Sequence, residues 1–147
     1  MLDDDGLRRL LTRSRTIAVV GLSDKPERDS NDVARYLQSQ GYRVVPVNPM
    51  LTEVLGERSY PDLEAIPGET SLDIVDIFRR SEQVPPVVHA AVLRGAGAVW
   101  MQLGVENAAA AAEAEAHGIP VVQNLCIMQQ HRRLHIPPVP PAPPTAG

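Results

Sequence analysis

Short apolar runs, rich in valine and isoleucine, recur along the whole chain. Most of them lack the alternation of apolar and polar positions that marks a strand with one solvent-exposed face. A continuous apolar run of this length is typical of a strand buried on both faces, as in a parallel sheet covered by helices. Five strands are predicted in this way, at residues 16–21, 43–47, 72–78, 98–103 and 119–123.

Helical patterns fill most of the intervals between these runs. Residues 31–40 place Val33, Tyr36 and Leu37 on one face at the spacing i, i+3, i+4. Because helical segments end in glycine shortly before the next apolar run, we predict successive βαβ units in one α/β domain. The other predicted helices cover residues 4–13, 85–94, 106–117 and 124–135, and the glycine stops are Gly41, Gly95 and Gly118.

Two stretches depart from this order. Residues 49–68 show no clear period, and only a short helix is predicted there, at 62–65. Residues 136–147, IPPVPPAPPTAG, are dominated by proline, which favours an extended or disordered tail with a solvated end. The predicted organisation is therefore one domain over residues 1–135 followed by a proline-rich tail.

Composition narrows the class of protein. With 14 Lys and Arg against 18 Asp and Glu, and with one Phe and one Trp, the chain lacks the basic surface and stacking aromatics of a general nucleic-acid binder. The single cysteine, Cys126, excludes an internal disulfide framework. The acidic start MLDDDG does not resemble a signal peptide, and no apolar run reaches membrane-spanning length. We expect a soluble, cytoplasmic protein.

In open α/β sheets the ligand lies beyond the carboxyl ends of the strands. Polar and glycine residues follow each of the predicted strands, so we expect them to converge on one edge of the sheet. In chain order they are Gly21-Leu22-Ser23, Asn48-Pro49, Arg79-Arg80, Gln102-Leu103-Gly104 and Asn124.

The loop after the first strand, within VVGLSDKPERDS (19–30), has one glycine where a dinucleotide-binding loop has three. Gly21 permits close approach of the backbone, and the following amides with the Ser23 hydroxyl can donate to a phosphate. Lys25 and Arg28 can add charge-assisted hydrogen bonds, although three carboxylates lie in the same loop. Phosphate binding is one interpretation of this loop.

The other interpretation is a solvated strand–helix connection in which Ser30 or Asn31 caps the helix. The second strand end helps to choose between ligands, because NAD binding usually requires an acidic residue where this chain has Asn48. Arg79 and Arg80 are the adjacent cations of this edge, and they indicate either anion recognition or a solvated helix start.

Two further clusters contain side chains that could form a chemical site. Asp73 and Asp76 lie three residues apart in a buried strand, so they point to opposite faces and do not form a catalytic pair. Cys126, His131 and His135 have three ligand-type side chains, but their spacing matches no recognised metal motif. We expect no metal site, and we interpret Cys126 as a buried small residue rather than a nucleophile.

The segments GLSDKPERDS, PVNP, FRR and WMQLG, in this order and spacing, resemble the small stand-alone CoA-binding proteins. The Rossmann-like domain of that family is similar to the CoA-binding domain of the succinyl-CoA synthetase α subunit. The resemblance covers about residues 7–135. It implies a three-layer α/β/α fold with a mostly parallel sheet of five or six strands, and coenzyme A lying across the carboxyl edge.

The resemblance also implies roles for single residues. Gly21, Leu22 and Ser23 would face the phosphate-rich end of the nucleotide, and Lys25 and Arg28 would supply positive charge. The adenosine side would be shaped by Asn48 and Pro49, the nucleotide bordered by Phe78, Arg79 and Arg80, and the far side of the groove formed by Gln102, Leu103 and Gly104.

The family's synthetase relative carries a second domain with a phosphorylated histidine, for which this chain has no room. His89 and His117 lie in predicted helices and are expected at the surface. We therefore expect a protein that binds CoA or an acyl-CoA without catalysis, in acyl-CoA metabolism or its regulation. The alternatives are an NAD(P)-linked oxidoreductase, or a subunit of one, and an adaptor that works through the proline-rich tail. Neither nucleic acid nor a membrane is an expected partner.

Overall fold

The computed structural model describes residues 2–140. This part of the chain contains seven strands, five α-helices and one turn of 3-10 helix at Ser81–Gln83. In chain order they are α1 (Asp4–Arg13), β1 (Thr16–Val20), α2 (Asp29–Ser39), β2 (Arg43–Val47), β3 (Glu53–Val54), β4 (Glu57–Arg58), β5 (Ile74–Ile77), α3 (Val84–Leu93), β6 (Val99–Met101), α4 (Ala108–Ala116), β7 (Val121–Val122) and α5 (Ile127–Arg133).

Five of the strands form one parallel sheet in the order β2-β1-β5-β6-β7. The order reverses beside β1, as it does in doubly wound folds, where ligands bind at the carboxyl ends of the strands. The register places Asp76 in the centre of the sheet, between Val19 of β1 and Trp100 of β6. All five predicted strands are present, and the predicted Rossmann-like α/β class is confirmed.

Helices cover both faces of the sheet, which gives the three layers. Side chains alternate between the faces along each strand, so Ile17 and Val19 enter one core while Ala18 and Val20 enter the other. The first core includes buried residues of α1, α2 and α5, and the second includes those of α3 and α4. No helix within residues 2–140 is long and apolar enough to cross a membrane.

The segment 49–68 differs from the sequence prediction. It contains a two-stranded antiparallel hairpin, β3 and β4, and the predicted helix at 62–65 is absent. Asp62 accepts a hydrogen bond from the Ala65 amide at 2.9 Å, which closes a turn instead. The guanidinium of Arg94 then fastens the following loop by donating to four carbonyls at 2.5–3.2 Å, those of Leu63, Ile66, Pro67 and Thr70.

The packed part of the chain continues beyond the predicted boundary at residue 135. Ile136 and Val139 are buried, and the Val139 amide donates to the Gln40 carbonyl at 2.7 Å. Gly41 has φ +96°, and a Cβ there would collide with the Val139 carbonyl, so the glycine admits this segment. The start of the predicted solvated tail is thus part of the domain, because two apolar side chains pack on it. Residues 141–147 lie outside the described part.

Candidate functional site

Two adjacent depressions lie at the carboxyl edge of the sheet. The loop cleft, of about 410 Å³, is lined by Gly21, Ser23, Lys25, Arg28, Asp29, Ser30 and Phe78. The main cavity, of about 550 Å³, shares Asp29 and Phe78 with it. The rest of its lining is Asp32, Val33, Arg79, Arg80, Gln83, Gln102, Leu103, Val105, Cys126, Met128 and Gln129. The structure therefore brings nine of the thirteen predicted site residues to this pair of depressions.

Gly21 lies where β1 ends, with φ +89°. Its amide donates to the Val47 carbonyl at 2.8 Å, and a Cβ on it would collide with the Phe78 carbonyl oxygen. The glycine is therefore required because three strand ends meet closely, a different reason from the close ligand approach that the sequence indicates. Its position in the wall of the loop cleft is as predicted.

The loop between β1 and α2 is fastened by its own polar groups. Ser30 Oγ accepts from the Ser23 amide at 3.0 Å, and Asn31 Nδ2 donates to the Ser23 carbonyl at 2.8 Å. Helix α2 begins at Asp29 after Arg28, which makes no side-chain capping bond. The prediction that Ser30 or Asn31 caps the helix is thus wrong, since both lie inside it and hold the preceding loop.

The N-terminus of α2 opens toward the loop cleft. The backbone amides of Asp29 and Ser30 find no acceptor within residues 2–140, and both residues line the cleft. Unpaired amides at a helix start carry partial positive charge and favour an anion. The side chain of Asp29 stands at the same place and opposes this effect.

Four cations surround the two depressions, and we call them the edge cations: Lys25, Arg28, Arg79 and Arg80. Within residues 2–140 their side chains form neither an ion pair nor a hydrogen bond to protein. Arg79 is half-buried and also borders a smaller cavity of about 280 Å³ that Val47 and Leu63 line. The edge cations are therefore free to bind an anion.

The predicted residues Leu22, Asn48 and Pro49 line neither depression. The Leu22 side chain is fully buried, and its carbonyl accepts from Asn48 Nδ2 at 3.0 Å. Asn48 Oδ1 accepts from the Met50 amide at 2.9 Å, so both ends of this side chain serve the loops. Asn48 shapes the edge by joining the first and second strand ends, and Pro49 is exposed beside it.

The turn after β6 carries the last three predicted residues. Leu103 is 63% exposed and lines the main cavity, whereas Gln102 beside it is buried. Gly104 has φ +85° and donates its amide to Asn124 Oδ1 at 2.7 Å, so it forms the turn and does not line the cavity. The two strand ends are thus fastened to each other.

Asp76 lies fully buried below this edge, and sequence reasoning found no function for it. Its Oδ1 accepts a hydrogen bond from Gln102 Nε2 at 2.6 Å, while Oδ2 has no partner within the described residues. Burial raises the pKa of the Asp76 carboxyl to about 8, against the lowering effect of the Gln102 hydrogen bond. The carboxyl is therefore neutral at pH 7.

The three residues considered as metal ligands serve separate places. Cys126 lines the main cavity, His135 is exposed, and His131 is buried with its Nδ1 at 2.7 Å from the Tyr36 hydroxyl. Burial lowers the pKa of His131. No group of three or more His, Cys, Asp or Glu within residues 2–140 is placed to hold a metal ion.

Helix faces supply the parts of the cavity that the sequence motifs did not indicate. Val33 of α2 and Met128 of α5 form apolar walls, and Gln83 and Gln129 add amide groups. The sequence predicts Val33 only as a core position of its helix, and it gives no signal for Met128. The reason is that the packing of the helices determines which of them faces the cavity.

Comparison with known proteins decides the family. Residues 15–132 match the model of the CoA binding domain. The chain belongs to the CoA binding domain family. The match spans the sheet and both depressions, so the CoA binding domain includes the whole candidate site.

Relatives of this CoA binding domain include a stand-alone protein of similar length. The uncharacterized protein YneT of Bacillus subtilis strain 168 is 41% identical over 125 residues, which covers 85% of this chain and 91% of YneT. A hypothetical protein from Pyrococcus horikoshii OT3 is 42% identical, with a TM-score of 0.87 over 91% of this chain and 93% of that one.

A larger relative is the dinucleotide-forming acetyl-coenzyme A synthetase 1 of Ca. Korarchaeum cryptofilum, solved with phosphate and ADP. It is 28% identical, with a TM-score of 0.66, and the match covers 78% of this chain but 26% of the synthetase chain. The CoA binding domain thus corresponds to one part of a multidomain enzyme, as its resemblance to the succinyl-CoA synthetase α subunit implies.

Proposed function

We propose that this CoA binding domain binds coenzyme A or an acyl-CoA across the carboxyl edge of its sheet, without catalysis of its own. The observation that carries the proposal is that the loop cleft and the main cavity adjoin, since Phe78 lines both. One ligand with an anionic end and an apolar, amide-bearing arm fits two such neighbouring depressions.

The charges support an anionic nucleotide. CoA carries a diphosphate and a 3′-phosphate, and the edge cations have no competing partner within the described residues. Charge-assisted hydrogen bonds from guanidinium to phosphate are among the stronger polar contacts. Asn48 near this edge carries no charge, so it does not repel a phosphate as an acidic residue would.

The absence of catalysis is proposed from the side chains near the two depressions. Cys126 lines the main cavity, yet His131 is turned toward Tyr36 and offers no base to its thiol. Asp76 is neutral at pH 7 and is engaged with Gln102. Binding alone is thus the function that these groups support.

A thermal-unfolding titration tests the proposal directly. We expect CoA and acetyl-CoA to raise the unfolding temperature, because a ligand that binds only the folded state adds about 2.7 kcal/mol of stability when its free concentration is roughly 100 times its Kd. NAD and NADP serve as matched dinucleotide controls. Stabilisation by a nicotinamide nucleotide, with none by CoA or acetyl-CoA, would favour the oxidoreductase alternative instead.

A further inference from the structure

The main cavity combines apolar wall residues and one deeply buried amide side chain with four charged side chains, those of Asp29, Asp32, Arg79 and Arg80. Val33, Phe78, Val105 and Met128 supply apolar surface, and Gln102, which is 3% exposed, lines the same cavity. A buried amide without partners is costly, so a side chain of this kind is retained where it makes defined hydrogen bonds.

Asp76 fixes the orientation of that amide. Because β5 and β6 are parallel and Asp76 pairs with Trp100, Gln102 lies on the same face two residues after Trp100, just past the end of β6. The bond from Gln102 Nε2 to Asp76 Oδ1 is 2.6 Å long and buried. This hydrogen bond uses one amide proton of Gln102. It therefore restricts the directions in which the side-chain carbonyl of Gln102 and its second amide proton can point.

We propose that Gln102, positioned by Asp76, recognises an amide group of the pantetheine arm, and that this pair selects CoA over nucleotides that lack the arm. The inference rests on the proposed function and adds the recognition element. Pantetheine carries two secondary amides between apolar groups, which matches an amide side chain in a cavity that also has apolar wall residues. The neutral carboxyl of Asp76 also places no negative charge below an anionic ligand.

Calorimetric titration with two probes tests the assignment. CoA contains the pantetheine arm, and adenosine 3′,5′-bisphosphate retains the nucleotide end without it. For Gln102→Met, which keeps the length of the side chain but removes the amide, we expect about a tenfold weaker Kd for CoA and an unchanged Kd for the bisphosphate.

Asp76 is tested as a positioning residue by a double-mutant cycle on CoA. Asp76→Leu removes the acceptor and is expected to weaken CoA binding by about the same factor, with little further loss in the double variant carrying Gln102→Met. Asp76→Asn retains an acceptor oxygen and is expected to bind CoA as the wild type does. Should Asp76→Leu fail to fold, Asp76→Val removes the acceptor in its place in the cycle, and Gln102→Met decides the role of Gln102 on its own.

The outcomes separate this inference from the proposed function. Unchanged CoA affinity in Gln102→Met, or an equal loss for both probes, would overturn the role of Gln102 while leaving CoA binding intact. Additive losses in the cycle would overturn the positioning role of Asp76. A wild-type protein that binds neither CoA nor the bisphosphate would overturn the proposed function and this inference together.

Discussion

The two edges of the central sheet differ in whether certain polar side chains have a partner in the protein. At the amino edge, two polar side chains are paired with backbone: Asp73 Oδ2 accepts from the amides of Arg15 and Thr16 at 2.8 and 2.9 Å, and the Tyr42 hydroxyl donates to a carbonyl. At the carboxyl edge the edge cations have no protein partner within residues 2–140. The comparison separates Asp73 and Tyr42, which hold the fold, from the edge cations, which are available to a ligand.

Glycine does not distinguish the two edges. Gly21 at the carboxyl edge and Gly41 at the amino edge both have positive φ, and a Cβ on either would collide with a backbone carbonyl. Both admit a neighbouring segment of the chain. A glycine after a strand is thus weaker evidence for a ligand than an unpaired cation beside it.

The largest effect that we predict is a loss of stability, caused by removing a side chain whose polar groups are paired. Arg94→Ala should lower the free energy of unfolding by about 3 kcal/mol, because four carbonyls of the 63–70 loop lose a charged donor. Arg94→Lys should be intermediate, since an ammonium cannot reproduce the planar set of donors. Urea unfolding measures both variants, and a loss below about 0.5 kcal/mol in Arg94→Ala would break the comparison.

At the carboxyl edge the expected loss is in affinity rather than stability. Arg79→Ala and Arg80→Ala should each weaken CoA binding about tenfold, or about 1.4 kcal/mol. Their free energies of unfolding should stay within about 0.5 kcal/mol of the wild type, because neither side chain has a protein partner in the described residues.

The matched control for this pair is Arg43→Ala, which removes an exposed arginine at the first residue of β2, at the opposite edge. Calorimetry should find its CoA affinity unchanged. Equal weakening in the control and the two site variants would mean that net charge, and not position, determines binding.

The smallest effect concerns pH. Burial lowers the pKa of His131, so below pH 6.5 the unfolded chain takes up a proton that the folded chain resists. Stability should therefore fall as the pH drops below 6.5. His131→Phe, which keeps a ring against Tyr42, should flatten this limb. Unfolding measured from pH 5 to 8 checks the slope, and an unchanged slope in His131→Phe would refute the assignment.

The strands and the carboxyl edge of the sheet could be predicted from the sequence because continuous apolar runs and glycine stops are local signals. Sequence reasoning missed the β3–β4 hairpin because its turn is Leu55-Gly56, with φ of 53° and 76°, where Asn-Gly would give a clear signal. It also could not pair Asp76 with Gln102, since 26 residues separate them and strand register alone brings them together. The family resemblance implies ligand contacts for Leu22 and Asn48, but a resemblance in sequence does not show which side chains of a loop turn inward.

The close packing of Val139 against Gly41 has a practical consequence. It holds the chain beside Gln40, just before β2 begins, on the edge of the sheet opposite the two depressions. A surface tether or fluorescent label joined downstream of Val139 would leave from the far side of the domain. Immobilisation at that point therefore suits biosensor work, because it leaves the entrance to the loop cleft and the main cavity facing the solution.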